Sequence, residues 1–162
     1  MAYGNGFTLV RGCVRYVEST VSSTATFLAR NPVTLSDDRT LIEGVSDDTV
    51  IYGIACNDAA DSFPGRPGKC LVEVPYPETV YAVKIQTGVA ASALSLFQGY
   101  NYEKSGNYLR LDPDSQVSAK LVIVGDEYGN TINSADSSVF GSWVANALLG
   151  SSDASVANFA QN

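Results

Sequence analysis

The segment from residue 50 to residue 74 holds several side chains with reactive chemistry. They include two cysteines, two aspartates and one lysine, at Cys56, Cys70, Asp58, Asp61 and Lys69. A thiolate can act as a nucleophile or a metal ligand, and a carboxylate can act as a general base. The same spacing also fits two β-strands on either side of a turn, so the neighbouring residues must decide between the two.

The neighbours of both cysteines alternate between apolar and other residues, which is the pattern of a strand. Cys56 shares a face with Ile54, and Cys70 shares a face with Val72. A thiol packed on an apolar face has a raised pKa and low reactivity. We therefore predict a β-hairpin with a rigid Pro/Gly bend over residues 62–68. A disulfide that forms late, outside the cell, remains the alternative.

Chemistry elsewhere in the chain is restricted by the absence of histidine. Catalytic triads, Cys-His pairs and histidine-ligated zinc are excluded. The acidic pairs at 37–38 and 47–48, and the acidic residues after Gly125, are interpreted as turn residues that cap backbone N–H groups. The run from Asp112 has Val117 and Ile123 where a calcium loop needs Gly and Glu, so at most a weak surface Ca²⁺ site is expected. We expect no catalytic residue, metal or cofactor.

Composition sets the class of protein and its partners. Of the 162 residues, 45% are hydrophobic and 17% are charged, which indicates one globular domain. The net charge of −7 argues against nucleic acid as a partner, because phosphate binding needs a basic surface. The N-terminal residues lack the pattern of a signal peptide, and no apolar run is long enough for a membrane span. We therefore expect synthesis in a cytosol, reduced thiols and no membrane partner.

Period-two patterns indicate an all-β protein. The predicted fold is a small antiparallel barrel or sandwich with an extended N-terminal arm and a short helical or extended C-terminal segment. Strands are predicted within 7–17, 27–29, 33–35, 50–56, 69–76, 79–86, 94–98 and 117–124, together with a hairpin over 100–111 that turns at Ser105-Gly106. The predicted divisions are 1–24 (arm and connector), 25–126 (β domain) and 127–162 (extension).

The extension contains one segment with helical spacing. Val139, Phe140, Trp143, Val144, Ala147 and Leu148 recur at intervals of three and four residues, with Gly150 as a stop. This pattern predicts a short helix over residues 138–149. The Ser/Ala-rich residues after it are expected to be loosely held.

Aromatic residues near both ends of the chain are candidate contacts with a neighbouring protein, because aromatic anchors dominate interfaces. The predicted partner-binding residues are Tyr3, Phe7, Leu9, Arg66, Phe140 and Trp143. The alternative is that both ends simply pack onto the β domain. The two interpretations remain open at the level of the sequence.

The run from Leu41 to Ala59, which includes Gly53-Ile54-Ala55-Cys56-Asn57-Asp58-Ala59, resembles the G-[IV]-A-x-x-D/N-A segment of tailed-phage head decoration (cement) proteins. The strands at 69–74 and 80–88 follow in the order expected for that family, and the similarity extends over about residues 10–125. The chain departs from the family pattern in its longer loop at 63–68 and in its extension after residue 125.

This resemblance implies a structural role without enzymatic activity. It implies a protein that is assembled in the host cytoplasm and located on the outer surface of the virion capsid. The implied partners are the major capsid protein and further copies of the chain in a homotrimer at local three-fold positions. Two other classes remain open: a carbohydrate- or host-surface-binding β module of a phage head or tail fibre, and an enzyme that uses paired carboxylates.

Overall fold

The computed structural model describes residues 5–45, 50–61, 67–86, 94–116, 119–125, 138–144 and 147–148. This part of the chain is nearly all β and antiparallel, and it contains no α-helix. In chain order the strands are β1 (Thr8–Arg11), β2 (Val14–Thr20), β3 (Pro32–Leu35), β4 (Leu41–Glu43), β5 (Gly53–Ala55), β6 (Lys69–Pro75), β7 (Val80–Lys84), β8 (Gly99–Tyr100), β9 (Tyr102–Ser105), β10 (Tyr108–Leu111), β11 (Leu121–Gly125) and β12 (Ser138–Trp143). The predicted all-β class is confirmed.

The strands form two five-stranded sheets and one hairpin. Sheet A has the order β1-β7-β12-β11-β8, and sheet B has the order β2-β6-β5-β3-β4. The hairpin pairs β9 with β10, and its turn at Gly106-Asn107 confirms the predicted turn to within one residue. The positive φ of Gly106, +66°, is the conformation that glycine adopts at low cost in a tight turn.

The two ends of sheet B come close together. Val21, directly after β2, forms a parallel bridge to Leu41 of β4, and the N–H of Ser22 donates to the Leu41 carbonyl at 3.0 Å. The apolar residues on one side of this sheet form a buried cluster that includes Phe27, Val33, Cys70 and Val72. Burying this cluster supplies the main driving force for folding this half of the protein.

The main core draws on both sheets and the hairpin. It contains Ile54 from β5, Tyr81 from β7, Leu109 from β10 and Leu121 from β11. Asn31, whose side chain is fully buried, fixes the hairpin in place. Its side-chain amide donates to the Asn107 carbonyl at 2.9 Å and accepts from the Leu109 N–H at 3.2 Å. Both polar groups of this buried amide are thereby paired, as buried polar groups require.

Both chain ends contribute strands to the sheets. The first 24 residues were predicted as an arm and connector, but β1 pairs with β7 and β2 pairs with all of β6. The strand β12 lies within the predicted extension and occupies the centre of sheet A between β7 and β11. These two segments are therefore integral to the sheets over the described residues.

Of the two predicted alternatives for the C-terminal segment, helical or extended, the described residues of 138–149 show the extended one, and the helix that their spacing favoured is not formed there. Ser138–Trp143 is a strand, and further on the structure describes Ala147 in a 3₁₀ conformation and Leu148 in a bridge. Val139 faces the main core, whereas the adjacent Phe140 packs on the opposite side of sheet A with Val80 and Ala82. Because both faces of this central strand are apolar, its sequence has no visible alternation, and the pattern imitates a helix.

Two other predicted strands are not formed. Residues 27–29 are irregular, and residues 94–98 form a turn. The strand predicted over 117–124 begins at Leu121, and its first two residues lie outside the described part of the chain.

Candidate functional site

The segment from residue 50 to residue 74 contains the paired strands β5 and β6, and polar side chains next to these strands form hydrogen bonds to the backbone. The strands β5 and β6 are antiparallel, with Ile54 opposite Glu73 and Ala55 opposite Val72. Asn57 Oδ1 accepts from the Leu71 N–H at 3.0 Å, and Asp58 Oδ1 accepts from the Ala29 N–H at 2.6 Å. The predicted paired strands are confirmed, and these two side chains serve the fold.

The two cysteines of this segment cannot bond to each other without rebuilding the strands. The register continues so that Cys56 lies opposite Leu71, whose carbonyl accepts the Cys56 N–H at 2.9 Å. Cys70 shares the other face of the sheet with Val72. Side chains on opposite faces of a sheet cannot meet the geometry of a disulfide. The alternative of a late disulfide between these residues is therefore wrong, and both thiols are free.

Cys70 is buried and Cys56 is partly buried, which makes both thiols poorly reactive, as the sequence predicted. Removal from water raises the pKa of Cys56 to about 11 and also raises the pKa of Cys70. Since the thiolate is the nucleophile, such thiols react slowly at neutral pH. Cys13 is exposed and free.

The most buried carboxylate of the described residues lies between the two sheets. Glu73 of β6 is 3% exposed, and its Oε1 accepts from the Tyr81 hydroxyl of β7 at 2.8 Å. Arg30 donates to the same oxygen at 3.2 Å, and Tyr16 donates to Oε2 at 3.3 Å. A buried carboxylate must be paired in this way, because an unpaired charge in a low dielectric costs several kcal/mol.

Arg30 extends this network to the start of the chain. Its Nε donates to the Phe7 carbonyl at 2.7 Å, and its own carbonyl accepts from the Phe7 N–H at 2.8 Å. The network also perturbs nearby hydroxyls. Burial raises the pKa of Tyr81 well above its usual value, and the negative charge of Glu73 is the main cause of the raised pKa of Tyr16. With both oxygens occupied by neutral or cationic donors from this chain, Glu73 acts as an inter-sheet tie.

Four aromatic rings pack next to this tie. Phe7 stacks on Trp143 with ring centroids 5.5 Å apart and 13° between the planes, and it meets Tyr81 and Tyr102 edge-on at 6.3 and 6.0 Å. All four rings are at least 98% buried. Offset and edge-on arrangements are the favoured geometries of aromatic pairs, so the cluster fixes the N-terminal strand to the core.

The predicted partner-binding residues differ in their exposure to solvent, and two of them lie outside the described residues. Phe7, Phe140 and Trp143 are buried within this chain, and Leu9 is half-buried against the main core. Tyr3 and Arg66 lie outside the described residues. Phe7 and Trp143 therefore agree with the alternative prediction, in which both ends pack onto the β domain.

Other large apolar side chains are exposed instead. They are Tyr16, Val45, Tyr76, Leu96 and Phe97, of which Phe97 is the most exposed at 74%. Sequence reasoning assigned Leu96 and Phe97 to a strand and so missed them. The available signal was the pair of adjacent large apolar residues directly before Gln98-Gly99, which breaks the alternation and favours a turn.

The acidic residues of two described turns, Asp38 and Asp112, accept local hydrogen bonds, and for Asp38 this is the predicted role. Asp38 accepts hydrogen bonds from Ser36 and from the Thr40 hydroxyl, which lower its pKa. Asp112 Oδ1 accepts from the Asp114 N–H at 3.0 Å. Within the described ranges no three His, Cys, Asp or Glu side chains converge on a possible metal position. The acidic residues at 47–48 and 126–127 lie outside those ranges.

In the part of the chain that the structure describes, no helix is long and apolar enough to cross a membrane. Comparisons with protein-family models, with curated proteins and with solved structures found no match for this chain.

Proposed function

We propose that this chain is a structural virion protein that decorates an icosahedral phage capsid and stabilises it by bridging neighbouring major capsid proteins. Two features support the proposal. The segment from Leu41 to Ala59 resembles head decoration proteins, and the side chains of Asn57, Asp58 and Glu73 hold the fold together through hydrogen bonds. The observation that carries it is the exposed apolar pair Leu96–Phe97, in a chain whose other described phenylalanines are buried.

We infer that the fold is a rigid sandwich of the two sheets, with sheet B closed into a small barrel where Val21 meets Leu41. The main core, which draws residues from both sheets, supports this inference. Since Phe7 is buried, an arm that is free to contact a partner is limited to the residues before it. A rigid body suits a bridging role, because little conformational entropy is then lost on binding.

The proposed mechanism needs no chemistry. Each copy contacts two neighbouring capsid subunits, so that opening the shell must also break the contacts of the decorating protein. A protein that binds only the closed shell stabilises it by mass action, and linked contacts raise the effective concentration of one another. We further propose a homotrimer at the local three-fold positions. The net charge of −7 keeps the decorated particle soluble.

A second candidate is a carbohydrate- or host-surface-binding β module. The observation that favours it is the exposure of two tyrosines, Tyr16 at 54% and Tyr76 at 43%, whose rings could stack on sugars. Trp143 is not available for such stacking, since it is 2% exposed. Retention of the chain on a glycan array, with loss of retention in Tyr16→Ala or Tyr76→Ala, would favour this candidate.

Co-sedimentation tests the proposed function. The purified chain is mixed with expanded shells assembled from the major capsid protein encoded by the same virus, and with unexpanded shells as the control. We expect saturable binding to the expanded shells, with a ratio of copies to capsid protein that reflects the three-fold positions. An absence of binding to expanded shells contradicts the proposal.

A further inference from the structure

We propose that the turn formed by Ser95, Leu96, Phe97 and Gln98 is the anchor with which this chain binds its protein partner, and that Phe97 enters an apolar pocket of that partner. This inference rests on the proposed function and names the contact that carries it. Phe97 is 74% exposed and Leu96 is 40% exposed. Exposed aromatic and aliphatic side chains next to each other are typical of interface anchors.

The turn is held rigidly by the sheet beneath it. The Gln98 N–H donates to the Ser95 carbonyl at 3.3 Å, which closes the four-residue turn. The Phe97 N–H donates to the Ile123 carbonyl at 2.7 Å, and the Ile123 N–H donates to the Gln98 carbonyl at 3.1 Å. The Ser95 N–H donates to the hydroxyl of buried Tyr100 at 2.9 Å. A side chain presented on such a turn is already in its bound position, which reduces the entropy lost on binding.

The backbone of Phe97 is in a conformation that a large side chain rarely adopts. Its φ of +63° lies in the left-handed region, where the third position of a turn favours Gly or Asn. A phenylalanine at this position costs stability in two ways, through its backbone and through its exposed ring. Strain of this kind is concentrated at functional sites. Since 74% of Phe97 is exposed, the ring packs little against the described residues, and we assign its use to contact with a partner.

Charge indicates a protein pocket as the occupant, and not a lipid surface. Residues 94–102 carry no charge, whereas the whole chain has a net charge of −7. An anionic membrane would repel an acidic chain, and no basic residue within this segment would offset that repulsion. An apolar pocket in a protein binds an uncharged, protruding side chain on a rigid support, and this turn presents such a side chain.

Replacement of Phe97 by Asn separates a binding role from a structural one. Asn tolerates the left-handed conformation and removes the ring, so Phe97→Asn should fold with a melting temperature equal to or above that of the wild type. Its binding to expanded shells in the co-sedimentation assay should fall by at least tenfold. Tyr76→Asn removes a ring that is also exposed, and it should keep its affinity within about twofold.

The outcomes distinguish the inference from the function on which it rests. If the wild type and Phe97→Asn bind expanded shells equally, the chain decorates the shell through another surface and the inference is wrong. If the melting temperature of Phe97→Asn falls by several degrees, the ring has a structural role and the inference is also wrong. If the wild type does not bind the shells, both proposals fall. Binding of the wild type to vesicles of phosphatidylcholine and phosphatidylglycerol that is lost in Phe97→Asn overturns the assignment to a protein pocket.

Discussion

The hydroxyl of Tyr81 in sheet A donates to Oε1 of Glu73 in sheet B at 2.8 Å, so that one hydrogen bond to a buried carboxylate joins the two sheets. The same carboxylate accepts from Arg30, which in turn binds the backbone of Phe7. The sheets and the N-terminal strand are therefore tied together through a single side chain. Asp58, which sequence reasoning first considered for chemistry, likewise holds the backbone, since it accepts from the Ala29 N–H at 2.6 Å.

Removal of the Tyr81 hydroxyl should weaken this tie measurably. Tyr81→Phe keeps the ring in the aromatic cluster and removes one hydrogen bond to a charged acceptor, so the free energy of unfolding should fall by about 1.5–3 kcal/mol. The matched control is Tyr16→Phe, since Tyr16 contacts the same carboxylate from an exposed position at 3.3 Å. That variant should lose about 0.5 kcal/mol or less. Urea unfolding measures both values, and equal losses would contradict the central position of Tyr81.

Truncation of Phe7 should destabilise the fold. A buried phenylalanine replaced by alanine costs about 3–5 kcal/mol, and Phe7→Ala also removes the ring that stacks on Trp143. The control is Phe97→Ala, the same chemical change at an exposed ring, which should alter the free energy of unfolding by about 0.5 kcal/mol or less. Because the chain has one tryptophan, its fluorescence reports the unfolding of this cluster directly. Deletion of residues 1–9 should unfold or strongly destabilise the protein for the same reason.

Stability should fall in alkaline solution. The folded state raises the pKa of Cys56 from 9.0 to about 11 and raises the pKa of Tyr81 above its usual 10.0. A group whose pKa is raised on folding contributes stability below its unfolded pKa, and that contribution is lost as the pH rises through the folded pKa. The melting temperature should therefore decline from about pH 9 upward.

Two cysteine variants test how much of the decline in melting temperature is due to Cys56. Cys56→Ala should reduce the slope of melting temperature against pH between about 9 and 11. Cys13→Ala, at an exposed thiol, should leave the slope unchanged. An identical slope in the wild type and in Cys56→Ala would show that Cys56 does not take part.

The three thiols should differ in their reactivity toward a thiol reagent. Cys13 is exposed and should react fast, whereas Cys56 and Cys70 should react only after unfolding. A colorimetric disulfide reagent counts accessible thiols before and after addition of guanidinium chloride. One fast thiol in the folded chain and three in the unfolded chain are expected, and Cys13→Ala should remove the fast one. Three fast thiols in the folded chain would contradict the protection of Cys56, which is partly buried, and of Cys70, which is buried.

The sequence predicts strands best where one face is buried. The pattern of β6, with Cys70, Val72 and Val74 on one face, predicted both the strand and the burial of its thiol. It fails for β12, because Val139 and Phe140 are buried on opposite faces and no alternation remains. Period-two reasoning depends on a polar face, which β12 lacks because apolar clusters pack on both of its faces.

The contact residues were harder to predict than the strands. An aromatic residue near a chain end looks the same in a sequence whether it packs inward or faces a partner, and Phe7 and Trp143 pack inward. The position of Glu73 between the sheets depends on long-range pairing of β6 with β2 and β5. Likewise, the exposure of Phe97 follows from a turn whose hydrogen bonds reach β11, and no local pattern encodes that contact.

We propose that this chain acts by binding between neighbouring capsid subunits. The most direct test is calorimetry of expanded shells with and without a saturating amount of the wild-type chain. We expect a higher melting temperature for the decorated shells and no change for shells mixed with Phe97→Asn. A melting temperature of the shells that stays the same in the presence of the wild-type chain would contradict the claim.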